Sequence, residues 1–208
     1  MKKILLVDDH SVIRSGIKGI LKEVCAPCEV SEAADGDTAT EALKKQHFDM
    51  IMMDIQIPGT DSLGMMEYIH VKYPAAKVLV FSTSSEKIYA KRFLKAGAKG
   101  FLSKQASLDE IKKAINLVLN DRVYISDALS STLVEESFSI TPNNPFEKLS
   151  AREFEIATLL LAGNTISTIS KSLNLQVSTV GTHKARVFDK LNVSNLLDLK
   201  DLAQAYLM

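Results

Sequence analysis

The chain has 208 residues, 46% of them hydrophobic, which is enough for one large domain or two modest ones with apolar cores. Its 25 basic and 25 acidic residues cancel, which excludes a global basic field, so any contact with nucleic acid must come from a local patch. The opening MKKILLVDD is too short in apolar residues for a signal peptide, and no run approaches the roughly 20 residues that cross a bilayer, so a soluble, cytoplasmic protein is expected.

In chain order, short apolar runs alternate with amphipathic stretches. KILLV reads as a strand, and VIRSGIKGILKEV as a helix with Ile13, Ile17, Ile20 and Val24 at helical spacing. Next comes CAPC, which holds the two cysteines, Cys25 and Cys28. A redox C-x-x-C usually opens a helix after a strand, whereas this one follows a helix, and two thiols are half of a tetrahedral zinc site. A loop with two small apolar residues is the favoured reading. EVSEA is a weaker strand, GDTATEALKKQ a helix, DMIMMD a strand and DSLGMMEYIHVKY a helix. KVLVFS is a strand, EKIYAKRFLKAG a helix stopped by Gly97, and GFLS a short strand. SLDEIKKAINLVLN is a helix entered through Ser107 and Glu110, spaced as a capping box. Five strand-then-helix units over residues 1–120 predict a parallel sheet with right-handed crossovers and helices on both faces.

In such a sheet, sites form where the strands exit. The first strand exits into Asp8 and Asp9, the third into Asp54, the fourth into Ser82 and the fifth into Lys104. Each alone has a plain structural role: Asp8 and Asp9 as helix caps, Asp54 as a turn former before Pro58, Ser82 and Lys104 as ordinary surface groups. Together, at four strand exits, they suit a hard cation and phosphoryl transfer to a carboxylate. Clustered acids need a cation, Mg²⁺ binds through one or two carboxylates plus phosphate, and a lysine and a hydroxyl can meet phosphoryl oxygens.

The segments VDDH, MMDIQIP, VFSTS and AKGFLSK resemble the receiver domain of bacterial two-component response regulators, over residues 1–120. The resemblance implies a five-stranded, doubly wound, flavodoxin-like sheet with Asp54 as phosphoacceptor. It implies that Asp9 and Asp54 bind Mg²⁺ with the Gln56 carbonyl, and that Asp8 acts mostly through water. Lys104 would pair with the phosphoryl group, Ser82 would hydrogen-bond it, and Phe101 would be the aromatic that repacks in response. A sensor histidine kinase would be the phosphoryl source. Asp61-Ser62 stands where the family commonly has Asp-Gly, so tuned rates are expected there.

Residues 121–145 read as a linker with a possible short helix after Ser126, formed by Leu129, Leu133 and Val134, and a boundary near Thr141 to Pro145 in TPNNP. From 146 to 208 the pattern is all-helical. LSAREFEIATLLLAG opens on a Ser150–Glu153 capping box and stops at Gly163, followed by TISTISKSLNL, STVGTHKARVFDKL and NLLDLKDLAQAYL. Two short helices around a tight turn, the second carrying polar and basic residues, suggest a helix-turn-helix, with an all-helical packing module as the plain alternative. LSAREFEIATLLLAGNT and STVGTHKARVFDKLNV resemble the four-helix output domain of NarL/LuxR-type regulators. The resemblance implies a recognition helix over about 177–191 with Thr179, Thr182, His183, Lys184 and Arg186 as DNA contacts. Gly181 stands where a lysine is common, and Ala185 is a second small residue, which points to thymine methyls or close backbone approach rather than arginine-to-guanine readout. Gln176 is a poor N-cap. Leu196, Leu199, Ala203 and Tyr206 form a stripe on the last helix that suits either packing on its own domain or a dimer seam.

The reading that joins these parts is a phosphorylation-activated transcription regulator that binds promoter DNA as a homodimer and is not a turnover enzyme. A receiver-controlled protein-interaction regulator with weak or no DNA binding is the alternative. An aspartate-nucleophile phosphatase typically carries its acids two apart on the first strand, not adjacent, and a flavin site would have a Ser/Thr/Gly-rich phosphate loop rather than acids.

Overall fold

The structure is a computed structural model that describes residues 1–138 and 144–206. The chain divides into two compact units, Met1–Phe138 and Ser139–Met208.

In the first unit, the strands are β1 (Lys2–Val7), β2 (Cys28–Ala33), β3 (Met50–Met53), β4 (Lys77–Ser82) and β5 (Gly100–Ser103). They pair in parallel in the order β2-β1-β3-β4-β5. This is the flavodoxin-like order, whose topological switch point lies between β1 and β3. Side chains alternate across the pleat. Leu5, Val7, Ile51, Met53, Val80 and Phe101 face one apolar cluster, whereas Ile4, Leu6, Met50, Met52, Phe81 and Leu102 face the other. Helices α2 (Gly36–Lys45), α3 (Ser62–Lys72) and α4 (Glu86–Lys95) pack on the first face through Leu43, Met66, Ile69 and Phe93. Helices α1 (Ser11–Cys25) and α5 (Leu108–Leu119) cover the second through Ile17, Leu21, Ile111 and Ile115. At this coverage both faces are dry, which is why the strands read as unbroken apolar runs.

Local chemistry accounts for the ends of these elements. Asp35 caps α2 in a reciprocal box with Thr38, and Asp61 caps α3 by accepting from the Gly64 N–H at 2.9 Å. Gly97 sits just past α4 with φ +106°, where a Cβ would meet the His70 ring, so only glycine fits. The capping box expected at α5 is half formed. The Ser107 hydroxyl accepts from the Glu110 N–H at 3.3 Å, but the Glu110 carboxylate takes the Tyr124 hydroxyl at 2.5 Å instead of reaching back. Cys25 and Cys28 close α1 and open β2, and both thiols donate to the Leu21 carbonyl. Burial, then the neighbouring Cys28, pushes the Cys25 thiol up to about 12, so it remains protonated and packs as a small apolar group.

The segment after α5 differs most from the linker expected over 121–145. Tyr124 is buried, donates its N–H to the Lys99 carbonyl and bridges in parallel to Gly100 of β5. A twelve-residue helix follows, α6 (Asp127–Phe138), and Leu129 is buried in the same cluster as Phe93 and Phe101, with Ile125 and Leu133 packed against it. The apolar spacing 125, 129, 133 supplies that face, so the first compact unit extends to Phe138. Of the expected breaker TPNNP, residues 141–143 lie outside the described residues.

In the second unit, a 3₁₀ turn (Pro145–Lys148) leads to α7 (Ala151–Leu161), α8 (Ile166–Ser172), α9 (Val177–Leu191) and α10 (Leu196–Ala205). Their core holds Phe146, Phe154, Ile156, Ile169, Val187 and Leu199. Ser150 and Glu153 form the full capping box, and Thr165 and Asn195 cap α8 and α10. The buried Ser170 hydroxyl donates to the Leu175 carbonyl at 2.6 Å, which fixes the tight turn between α8 and α9.

Candidate functional site

The exits of β1, β3, β4 and β5 gather at one end of the sheet. Asp8 and Asp54 are almost completely buried, at 5% and 3% exposure. Between them lies Lys104, whose Nζ is 2.7 Å from Asp8 Oδ2 and 2.7 Å from Asp54 Oδ2. Burial alone would lower the lysine's pKa, but the Asp54 and Asp8 carboxylates outweigh it and hold the ammonium above its ordinary value. Backbone bonds aim the chain here: the Asp54 N–H donates to the Val7 carbonyl at 2.8 Å, and the Lys104 N–H to the Ser82 carbonyl at 2.9 Å.

Neither aspartate of the β1 exit is the N-cap of α1. That position belongs to His10, which makes no capping bond. Asp8 Oδ1 instead accepts from the His10 N–H at 2.8 Å, and the His10 ring lies 2.7 Å from Asp9 Oδ1. Asp54 Oδ1 accepts from the Gln56 N–H at 3.0 Å, so the turn role and the charged role coexist in one carboxylate. The Gln56 side chain takes the Thr83 hydroxyl at 2.6 Å, tying the β3 and β4 exits together. Ser82 is fully buried, and its hydroxyl accepts from the Ser84 N–H at 3.3 Å. Phe101 is also fully buried, its ring centroid 6.5 Å from that of Phe93 at a tilt of 58°. Where Asp61-Ser62 replaces the common Asp-Gly, the buried Ser62 hydroxyl donates to the Ile55 carbonyl at 3.0 Å and pins the loop beside the site.

Donor atoms of Asp8, Asp9, His10 and Asp54 all lie within 4.8 Å of one another. Three carboxylates, those of Asp8 and Asp54 buried and that of Asp9 at the surface, form an oxygen-rich set that suits a hard divalent ion. Three participants went unnoticed in the sequence. His10 and Thr83 lie inside the segments VDDH and VFSTS, whose signal comes from the neighbouring acids and Ser82 rather than from these two residues. The Arg14 guanidinium reaches back from α1 to the Asp8 carbonyl at 2.6 Å and to Glu32 at 3.0 Å, and the arginine four residues after His10 was its one visible trace.

In the second unit, α9 spans the residues expected of a recognition helix, and its Gln176 end has no side-chain cap. Val180, Val187 and Leu191 are buried, leaving Val177, Ser178, Thr182, Ala185, Arg186, Asp189 and Lys190 exposed. The Thr182 hydroxyl donates to the Ser178 carbonyl at 3.0 Å. Thr179, Lys184 and His183 are half-buried, with Lys184 Nζ 5.2 Å above the Phe188 ring. His183 Nδ1 is buried with no partner among the described residues, and burial, then Arg186, lowers its pKa. Glu153 joins α7 to α9 through Lys190 at 2.7 Å. The α10 stripe splits: Leu199 and Ala203 are buried in their own unit, Tyr206 is half-buried and Leu196 is exposed.

A 2-1-3-4-5 parallel sheet with a buried aspartate–lysine pair at its switch point, joined to a four-helix unit with a helix-turn-helix, defines a receiver-type signalling protein with a helical output module. Residues 4–116 match the family model of the response regulator receiver domain, and residues 147–203 match that of bacterial regulatory proteins of the luxR family. The chain belongs to the two-component response regulators that carry a luxR-family output domain. Response regulator GacA of Pseudomonas syringae pv. syringae is 34% identical over 204 residues, covering 98% of this chain and 95% of that protein. Response regulator UvrY of Escherichia coli K12 is 32% identical over 98% of this chain and 94% of that protein. RcsB from Salmonella enterica serovar Typhimurium, solved on the rprA promoter with a beryllofluoride phosphomimetic, superposes with a TM-score of 0.70 at 21% identity, covering 98% of each chain, and so shares the fold.

Proposed function

We propose that Asp54 is the phosphoacceptor and that its phosphorylation controls DNA binding by the helix-turn-helix unit. The observation that carries this reading is Lys104, held 2.7 Å from Asp54 and from Asp8 in a nearly dry site. By analogy with phosphorylated hydroxyl side chains, a phosphoryl group on Asp54 would carry charge of about −1.5 to −2 in place of the single carboxylate charge. Lys104 can then leave Asp8 and follow the new oxygens, while the Ser82 hydroxyl turns from Ser84 toward them. The chemistry is placement and charge neutralisation, with no turnover.

Asp8, Asp9 and Asp54, with the Gln56 carbonyl, would hold Mg²⁺, and His10 would steady Asp9. When bound, the ion supplies positive charge that neutralises phosphoryl oxygens. Phosphoryl groups would come from a sensor histidine kinase or a small acyl phosphate in the cytoplasm. No helix of the described residues is long and apolar enough to cross a membrane. In the output unit, Thr179, Thr182, His183, Lys184 and Arg186 are proposed as the DNA-contacting set. Arg186 and Thr182 are exposed at the centre of the open face, and Lys184 would have to swing off Phe188. A homodimer would present two such helices to half-sites about one DNA turn apart.

An acyl phosphate with Mg²⁺ is expected to add one phosphoryl group to the native chain and none to Asp54→Ala, read by intact-mass spectrometry. Incorporation in the variant would sink the assignment.

A further inference from the structure

β1 and β2 stay paired through Val7 and Ala33, and the next two residues of the chain after Val7 are the acids of the site. The Asp8 N–H still donates to the Ala33 carbonyl at 3.1 Å. The Asp8 carbonyl accepts from the Arg14 guanidinium at 2.6 Å, and Nε of that guanidinium donates at 3.0 Å to Glu32 Oε2, one residue before Ala33. Both backbone groups of Asp8 are thus fastened to residues 32 and 33 of β2, one directly and one through Arg14. Lys18 takes the other Glu32 oxygen at 2.9 Å, and the Arg14 side chain is 15% exposed. Lys18, then Arg14, holds the Glu32 carboxyl below its ordinary range, so the anchor is ionised.

We infer that Arg14 is a positioning residue of the cation site: bracketed between Glu32 and the Asp8 carbonyl, it sets the direction in which Asp9 is presented. This rests on the Mg²⁺ reading above. The Asp8 C=O and the Asp9 N–H belong to one planar peptide unit, so fixing the carbonyl fixes the plane from which the Asp9 backbone departs. Asp8 and Asp54 have a clamp of their own, because each is buried and each gives one oxygen to Lys104. The Asp9 side chain is 31% exposed and meets the His10 ring, which is itself 64% exposed. Its aim toward a shared ion therefore comes from the backbone. A guanidinium suits the task because its planar fork meets two acceptors in fixed geometry, whereas a lysine ammonium there keeps the charge without the fork. Neither Arg14 bond reaches a carboxylate of the site. As a bare positive charge Arg14 would oppose a cation, and its removal would tighten binding. Positioning demands the opposite sign.

The test titrates the full chain with Mg²⁺ and follows backbone amide shifts, for the native protein, Arg14→Lys, Glu32→Gln and the double variant. Amides far from the β1 exit report that each variant keeps its fold. Arg14→Lys is expected to weaken Mg²⁺ binding about tenfold, the loss typical when an outer partner of a metal ligand is removed. Glu32→Gln, which leaves Arg14 in place but unanchored, should weaken it by a smaller factor. The double variant should lose no more than Arg14→Lys alone, since the two side chains act as one unit. The Mg²⁺ needed for half-maximal phosphoryl uptake from an acyl phosphate should rise by the same factor, while the rate at saturating Mg²⁺ holds. Native or tighter Mg²⁺ affinity in Arg14→Lys, losses that add in the double variant, or a fall in the saturated rate would each overturn the positioning role and leave the Asp54 reading standing. If the native chain shows no saturable Mg²⁺ response at Asp8, Asp9 and Asp54, both fall together.

Discussion

Lys104 is the residue on which most of the receiver's charge balance turns. Its ammonium is 7% exposed and serves two carboxylates that are at least as buried. Replacing it by methionine leaves those acids facing each other, and breaking a buried pair costs roughly 3–5 kcal/mol. Lys104→Met is therefore expected to lower the urea midpoint in metal-free buffer and to recover part of the loss when Mg²⁺ is added. An unchanged midpoint would mean that the pair contributes nothing. In the output unit, the telling residues are His183 and Glu153. Burial, then Arg186, depresses the His183 pKa below its usual 6.5, so the folded unit disfavours its proton. Burial would raise the Glu153 pKa, but Lys190 and the Ser150 cap outweigh it and lower it. Both are depressed in the folded state, so both contributions are complete at neutral pH and are lost as pH falls. Protection of α7 and α9 in amide exchange should decline first as pH drops below about 6.5 and again below the ordinary glutamate range. His183→Gln should erase the first step and Glu153→Gln the second.

At the scale of elements, α9 combines an uncapped start, a mid-helix glycine and a half-buried lysine. Gly181 has no neighbour within 4 Å of where a Cβ would sit, and it lies inside a regular helix. Gly181→Ala is expected to stabilise the output unit by about 1 kcal/mol, read as a rise in its thermal midpoint. If the same change weakens promoter binding despite the gain in stability, the bare backbone there is approached by DNA. Helices and strands of this chain were readable because their apolar patterns are plain: the unbroken apolar run in KVLVFS marks a strand covered on both faces, and the 13-17-20-24 spacing in α1 leads directly to the face it covers. The acids, Ser82 and Lys104 were readable because parallel strands deliver their exits to one end. What escaped was tertiary competition between side chains. Nothing in the spacing of Ser107 and Glu110 announces that Tyr124 claims the glutamate, nor that Thr83 engages Gln56. The length of α6 was underestimated because its docking face is only three apolar residues wide.

For the molecule as a whole, the zero net charge means that no long-range field draws it to nucleic acid, and affinity must rest on a few local contacts. Promoter affinity should fall with salt at a slope set by those phosphate contacts alone, at about −0.9 per contact, and Arg186→Ala should reduce that slope by about one. A slope unaltered by the change would remove Arg186 from the interface.

The bridge between Tyr124 and Gly100 also bears on what this sheet cannot do. A terminal strand with open N–H and C=O groups invites pairing by a foreign strand, a common route to aggregation. Here the outer rim is engaged at the start of β5, where Lys99 gives its carbonyl to Tyr124 and Gly100 bridges to it. The opposite rim is β2, which carries Glu29 and Glu32, charges that discourage apolar strands from adding on. With the start of one rim engaged and acids on the other, both edges disfavour an added strand.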